Sequence, residues 1–285
     1  MAKKKRDNID RLFVVYKPSN IGSNQYLSKL KWKYNAAKAG FSGTLDPFAK
    51  GVLIVAFGKY TSLFRFLDKT PKRYRATLWL GAHSDSLDIE LVKQIDDIPA
   101  IAETHVKAAV TSLEGELEYF PPIFSAKKID GRRAYDLARE GKEVKLNTIH
   151  STIHEMKFIN YNHPFVTFEA TVSEGTYIRS LGHLIAQKLD VEGGCLSALE
   201  RLNEGQFHFE DEKALDIKKC LNMPQNCYLK NRETILLGQK LQREDFEVTD
   251  NGTYWIDNQD SISIFMFDDE GVHYLLNRVS LHEKL

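Results

Sequence analysis

Few carboxylates in this chain sit in a setting that suits chemistry, and Asp46 is the first of them. It lies in Gly43-Thr44-Leu45-Asp46-Pro47, between a glycine turn and a proline, just ahead of the apolar run 52–57. Stiff backbone on both sides would aim a nucleophile or general base. The same setting also suits an aspartate that merely caps a turn. Two further stretches pair tyrosine with cations: Lys72-Arg73-Tyr74-Arg75 and Gly175-Thr176-Tyr177-Ile178-Arg179. A tyrosine between basic groups can stack on a nucleobase beside phosphate contacts. It can equally belong to an edge strand with exposed charges. The second stretch reads as a helix start with Thr176 as N-cap, which puts Arg179 in the first turn. A cation there opposes the helix dipole, so a partner such as a carboxylate is expected to hold Arg179.

The elements that must position these groups follow from periodicity. Residues 11–16 read as a strand stopped by Lys17-Pro18-Ser19-Asn20, and 24–34 has helical spacing. Residues 41–50 read as a loop or tight turn and 51–57 as a buried strand. Residues 73–80 alternate as a strand does, 100–113 are helical, and 131–141 form a short helix closed by Gly141. Residues 144–171 read as two strands around Asn162-His163-Pro164, and 177–189 as a helix with Ile178, Leu181, Leu184, Ile185 and Leu189 inward. Beyond a short helix at 214–221 and a polar connector, 234–279 are strand-like, with turns at 251–252 and 268–271.

At 285 residues and 42% hydrophobic composition, the chain can bury a sizeable core, which excludes a disordered or fibrous protein. The longest purely apolar run has six residues, too short for a membrane span, and no apolar segment follows the basic N-terminus as a secretory signal would require. Three cysteines, Cys195, Cys220 and Cys227, match no zinc spacing and read as free thiols in a reducing compartment, hence the cytoplasm. His150 and His154 lie on a strand-like stretch, and Asp85, Asp88 and Glu90 read as a solvated acidic loop. Basic and acidic side chains number 39 each, yet residues 29–75 carry a balance of +9 and 83–118 one of −7. Such segregation lets a neutral chain present a basic face.

Taken together, the motifs resemble the TruB family, the bacterial tRNA pseudouridine-55 synthases. Gly43-Thr44-Leu45-Asp46-Pro47, followed by Ala49, Gly51-Val52-Leu53 and Gly58, is similar to the family's catalytic motif. Lys17-Pro18, Lys72-Arg73-Tyr74, Pro121 to Lys128 with Gly131, Arg133 and Tyr135, Ala138 to Gly141, Gly175 to Arg179, and Leu199 resemble its other blocks, in order from about residue 11 to 207.

The resemblance implies an α+β fold. Its core would be a mixed, largely antiparallel sheet with flanking helices and a central cleft, joined to a small C-terminal β-rich PUA-like domain. The expected layout is a basic flexible tail at 1–10, a catalytic domain at 11–221 and a small RNA-binding domain at 233–285. The implied activity is isomerisation of uridine 55 in the T-loop of tRNA to pseudouridine. It would need no cofactor and no metal, and the chain is expected to act as a monomer.

Asp46 would be the essential carboxylate and Arg179 its ion-pair partner. Tyr74 would stack on the target uracil, with Tyr177 and Leu199 as pocket walls. Lys17, Lys72, Arg73, Lys127, Lys128, Arg132 and Arg133 are the expected contacts to the RNA backbone. The chain departs from the family pattern at Phe41 and Ser42, where histidine and threonine are usual. Phe41 is expected to fill the gap left by a flipped base through stacking alone. Asn20 and Gly22 stand where glycine and threonine are favoured, and Glu200 where an arginine often follows the pocket leucine. The competing reading is a non-catalytic tRNA-binding or folding protein on the same architecture. A third, a hydrolase built on Asp46 and Asp85, has no motif behind it.

Overall fold

The computed structural model describes residues 7–124 and 146–281, the backbone of 128–129 and 132–133, and Glu140. Strand β1 (Arg11–Lys17) leads through helix α1 (Ser23–Lys33) and the short β2 (Ala39–Phe41) to β3 (Lys50–Phe57). A 3-10 segment, Gly58–Phe66, precedes β4 (Lys72–Leu80). A small ribbon of β5 (Ala82–Ser84) and β6 (Val92–Ile95) follows, then α2 (Glu103–Thr111) and β7 (Gly115–Tyr119). After the two-residue strands β8 (Lys128–Ile129) and β9 (Arg132–Arg133) come β10 (Ile149–Asn162), β11 (Phe165–Val172), α3 (Ile178–Lys188) and β12 (Gly194–Glu204). Strands β13 (Gly252–Asp257), β14 (Ser261–Asp268) and β15 (Gly271–Ser280) complete the chain.

The main sheet runs β1-β3-β12-β4-β11-β10-β7, with β2 added to β3. Every neighbouring pair is antiparallel except β3 with β12, which touch in parallel only at Glu200↔Lys50 and Arg201↔Gly51. This short seam joins the two halves of the sheet. At Gly51 φ is +119°, and a Cβ there would stand 2.2 Å from the carbonyl oxygen of Arg201, so only glycine fits.

Burial explains the two kinds of strand. In β1 and β3 both faces are covered. Phe13, Val15, Leu53 and Val55 pack with Leu27 and Leu30 of α1, while Leu12, Val14, Val52 and Ile54 face the opposite cluster. Hence their unbroken apolar runs. β4 alternates, with Tyr74, Ala76, Leu78 and Leu80 packed against α2, α3, Phe168 and Leu196. The three-stranded C-terminal sheet does not stand apart from this core: Trp255, Ile262, Ile264 and Val279 share a buried cluster with Leu12, Val14 and Val52.

Several expectations need correction. Between Ala214 and Leu221 only Ile217–Cys220 is helical. Strand β12 was not anticipated, because its apolar residues alternate too briefly to declare a period. The expected helix at 131–141 begins instead as strand at Arg132–Arg133, and most of it lies outside the described residues.

Candidate active site

The loop between β2 and β3 is fixed at both ends. The Ser42 amide donates to the Ile54 carbonyl at 2.9 Å. Ser23, at the start of α1, donates its hydroxyl to the Leu45 carbonyl (2.8 Å) and accepts the Leu45 amide (3.0 Å). From β12, Arg201 donates to the carbonyls of Gly43 (2.9 Å) and Val52 (2.8 Å). Gly43 supplies the left-handed turn, at φ +58°. These ties hold Asp46 at the floor of a cleft with its side chain 35% exposed.

Arg179 reaches the same floor from the first turn of α3. Its Nε lies 3.0 Å from Asp46 Oδ2. Its Nη1 lies 3.2 Å from Asp88 Oδ2 and 2.8 Å from the Ser86 carbonyl, and Nη2 donates to the Phe124 carbonyl at 2.9 Å. The guanidinium is buried and all three of its nitrogens have partners, which offsets its place at the wrong end of a helix dipole. Burial pushes the Asp46 carboxyl above its ordinary value. Arg179 and Lys17 pull the other way, and the nearby Asp88 charge adds to the rise.

Asp88 went unrecognised from sequence. It does not sit in a solvated loop: it is buried and accepts from the Ser86 hydroxyl (2.6 Å) and the Glu90 amide (3.0 Å). Asp85 does remain exposed, paired with Lys93. The unsatisfied cation at Arg179 was the one sequence signal pointing to such a partner.

Tyr74, Tyr177, Leu199, Lys72 and Arg201 line the cleft above Asp46, enclosing about 290 Å³. That is at the small end of ligand pockets, roughly 300–1,000 Å³, and suits one planar base. Tyr74 and Leu199 are buried in the core cluster, so these walls are rigid. Tyr177 is the N-cap of α3 in place of the expected Thr176, whose hydroxyl bonds the Ser173 carbonyl instead (2.9 Å). No side chain caps that helix. The Tyr177 amide donates to the buried Tyr119 hydroxyl at 3.0 Å, which fixes the wall from behind.

The expected backbone contacts divide. Lys72 lines the pocket. Arg73 projects from the opposite face of β4 to Tyr74, where it and Arg75 grip the buried Glu169. Lys17 is fully buried and cannot meet a phosphate. Its ammonium donates to the carbonyls of Ile21 (2.7 Å) and Pro18 (2.9 Å), and burial pulls its pKa down to about 8. Phe41 is half-buried against the cluster of Phe13 and Leu27, outside the pocket lining. Lys127 and the side chains of Lys128, Arg132 and Arg133 lie outside the described residues. Glu200 accepts from the Tyr16 hydroxyl at 2.6 Å, and the neighbouring arginine, Arg201, turns inward to the loop.

Comparisons with known proteins bear on the family of the chain. The sequence model described as TruB family pseudouridylate synthase (N terminal domain) matches residues 31–178. The tRNA pseudouridine synthase B of Sulfurimonas denitrificans is 58% identical over 271 residues, covering 95% of this chain and 99% of that protein. Its namesake from Campylobacter jejuni is 46% identical with the same coverage. The archaeal box H/ACA Nop10–Cbf5 complex contains a chain of similar fold (TM-score 0.61, 20% identity), with 94% of this chain and 85% of that one covered. With nearly the whole length of such relatives matched, the chain belongs to the TruB family of pseudouridylate synthases.

Proposed function

We propose that the protein converts uridine 55 in the T-loop of tRNA to pseudouridine, with Asp46 as the essential carboxylate. The observation that carries this reading is the ion pair of Asp46 with Arg179 at the floor of a base-sized pocket walled by Tyr74, Tyr177 and Leu199. The reaction breaks the bond from ribose C1′ to N1 of uracil, turns the base, and joins C1′ to C5. The hydrogen on C5 leaves as a proton and N1 gains one, so atoms and electrons balance without an oxidant or a donor.

A uridine in a folded T-arm must leave the stack to reach such a pocket. Tyr74 then stacks on the base, Leu199 and Tyr177 keep it in plane, and Arg179 keeps the carboxylate ionised and aimed. Whether Asp46 attacks the base, attacks the sugar or removes a ribose proton, its ionised form is the one that works. Phe41 fills the gap in the T-loop by stacking. Lys72 meets the substrate at the pocket wall, with Lys127, Lys128, Arg132 and Arg133 on the phosphates. Residues 11–221 carry the synthase and 233–285 the PUA-like part. The reading takes the protein as a cytoplasmic monomer.

Tritium release from T-arm RNA labelled at uracil C5 tests this. Release by wild type that vanishes in Asp46→Asn, with RNA binding retained, is the expected result. Tight binding without release from wild type would favour a binding-only protein. If Phe41→Ala binds and modifies tRNA as wild type does, the role given to Phe41 is wrong.

A further inference from the structure

We infer that Glu204 is a positioning residue of the active site: from the end of β12 it braces the turn that carries Asp46 and steadies Lys72 at the pocket wall. This rests on the isomerase reading.

Glu204 has no solvent-exposed surface. Its Oε1 accepts the Ser42 hydroxyl at 2.6 Å, across 162 residues of chain. The same oxygen stands 3.6 Å from Lys72 Nζ, and Oε2 stands 3.3 Å from Arg201 Nη2. Arg201 in turn donates to the Gly43 carbonyl. One carboxylate therefore holds residue 42 directly, residue 43 through an arginine, and the lysine that lines the pocket. The bracket presses closely on the turn. A Cβ at Gly43 would lie 2.9 Å from Arg201 Nη1 and 3.0 Å from Glu204 Oε1.

The charges explain why a carboxylate is needed there. Arg201 and Lys72 are both buried, and two buried cations without a counter-charge are costly. Lys72 has a second carboxylate, Glu174, at 3.3 Å, but that side chain is 58% exposed and free to swing aside. A substrate oxygen can then replace Glu174 on Lys72 while Glu204 keeps the ammonium in place. Packing alone would not require this: an apolar residue at 204 fills the volume but leaves Ser42 without its acceptor and Arg201 and Lys72 without their shared counter-charge.

The experiment compares Glu204→Gln, Ser42→Ala and Ser42→Thr in the full-length protein, by steady-state tritium release and by amide hydrogen exchange of peptides spanning 42–46. Glu204→Gln and Ser42→Ala are each expected to lower kcat about tenfold, with KM for T-arm RNA within about threefold, as a misplaced catalytic group does. Ser42→Thr keeps the hydroxyl and should retain kcat. Combining Glu204→Gln with Ser42→Ala should be no slower than Glu204→Gln alone, because both remove one contact. Exchange at 42–46 should quicken in Glu204→Gln while β14 stays protected. Wild-type kcat and unchanged exchange in Glu204→Gln would overturn the inference, as would a loss confined to KM. The exchange result reads the turn without turnover, so a wild type that releases no tritium would count against the isomerase reading alone.

Discussion

Arg179 Nε lies 3.0 Å from Asp46 Oδ2, and the same guanidinium reaches Asp88 with Nη1 at 3.2 Å. The two carboxylates thus use different nitrogens of one rigid plane, and two backbone carbonyls also accept from it. Lysine has a single ammonium and cannot span both. Arg179→Lys is expected to lower kcat by about a hundredfold with tRNA affinity little changed, the signature of a misaimed carboxylate. Single-turnover kinetics beside a binding titration would check it, and a loss confined to affinity would contradict it.

The pH response has a definite sign. Burial raises the Asp46 carboxyl above its usual value, and the proposed reaction uses the ionised form. The acid limb of kcat/KM should therefore lie above the ordinary aspartate range, with rate falling as pH drops through the raised value. Asp88 contributes to the rise, so Asp88→Asn should move that limb to lower pH.

Stability follows the same linkage. A raised folded pKa means that Asp46 favours the native state below its unfolded value, 3.8, and that this is lost as pH rises through the folded value. Asp46→Asn should then raise Tm near pH 7 and change it little below pH 3.8. Thermal unfolding at the two pH values would show a difference of the opposite sign if the ion pair outweighed burial.

Tyr119 stands in for a helix cap. Its hydroxyl accepts the Tyr177 amide at 3.0 Å and lies 3.2 Å from Ser151 Oγ. Tyr119→Phe keeps the ring and leaves the amide of Tyr177, the N-cap of α3, without this acceptor. The expected cost is about 1 kcal/mol of stability. A several-fold fall in kcat/KM should accompany it through the Tyr177 wall. Denaturant unfolding and kinetics on the same preparation would separate the two effects.

Gly51 tests the seam of the sheet. With φ at +119° and a Cβ position 2.2 Å from a backbone oxygen, nothing nearby can yield. Gly51→Ala should cost about 3–5 kcal/mol or prevent folding, far more than a surface substitution. A soluble variant of near-wild-type Tm would show that β3 and β12 can part here without penalty.

Much of this site was legible in the residues themselves. The rigid loop at Asp46, the misplaced cation at Arg179 and the alternation that turns Tyr74 inward are local properties, and the structure keeps all three. Lys17 shows where such reading fails. A lysine beside a proline looks exposed, yet this one is fully buried because the carbonyls of Pro18 and Ile21 converge on it. Arg73 shows what local reading leaves out: it belongs to the face of β4 opposite to Tyr74, and its ion-pair partner is Glu169 from β11.

By itself, the sequence determined the local elements, their buried faces and the residue types assembled around Asp46. Helical and strand periods are written in the order of side chains, and a glycine–proline frame stiffens a loop wherever it occurs. Only the tertiary structure decided which charges meet. Asp88 lies 91 residues from Arg179 and Glu204 lies 162 from Ser42, so no spacing rule relates them. Their pairing follows from β12, which runs antiparallel to β4 along its length and parallel to β3 at two of the same residues, and from α3, which sets its first turn against the loop of Asp46. Buried charges require partners through space, and space is set by how strands pair rather than by their order in the chain.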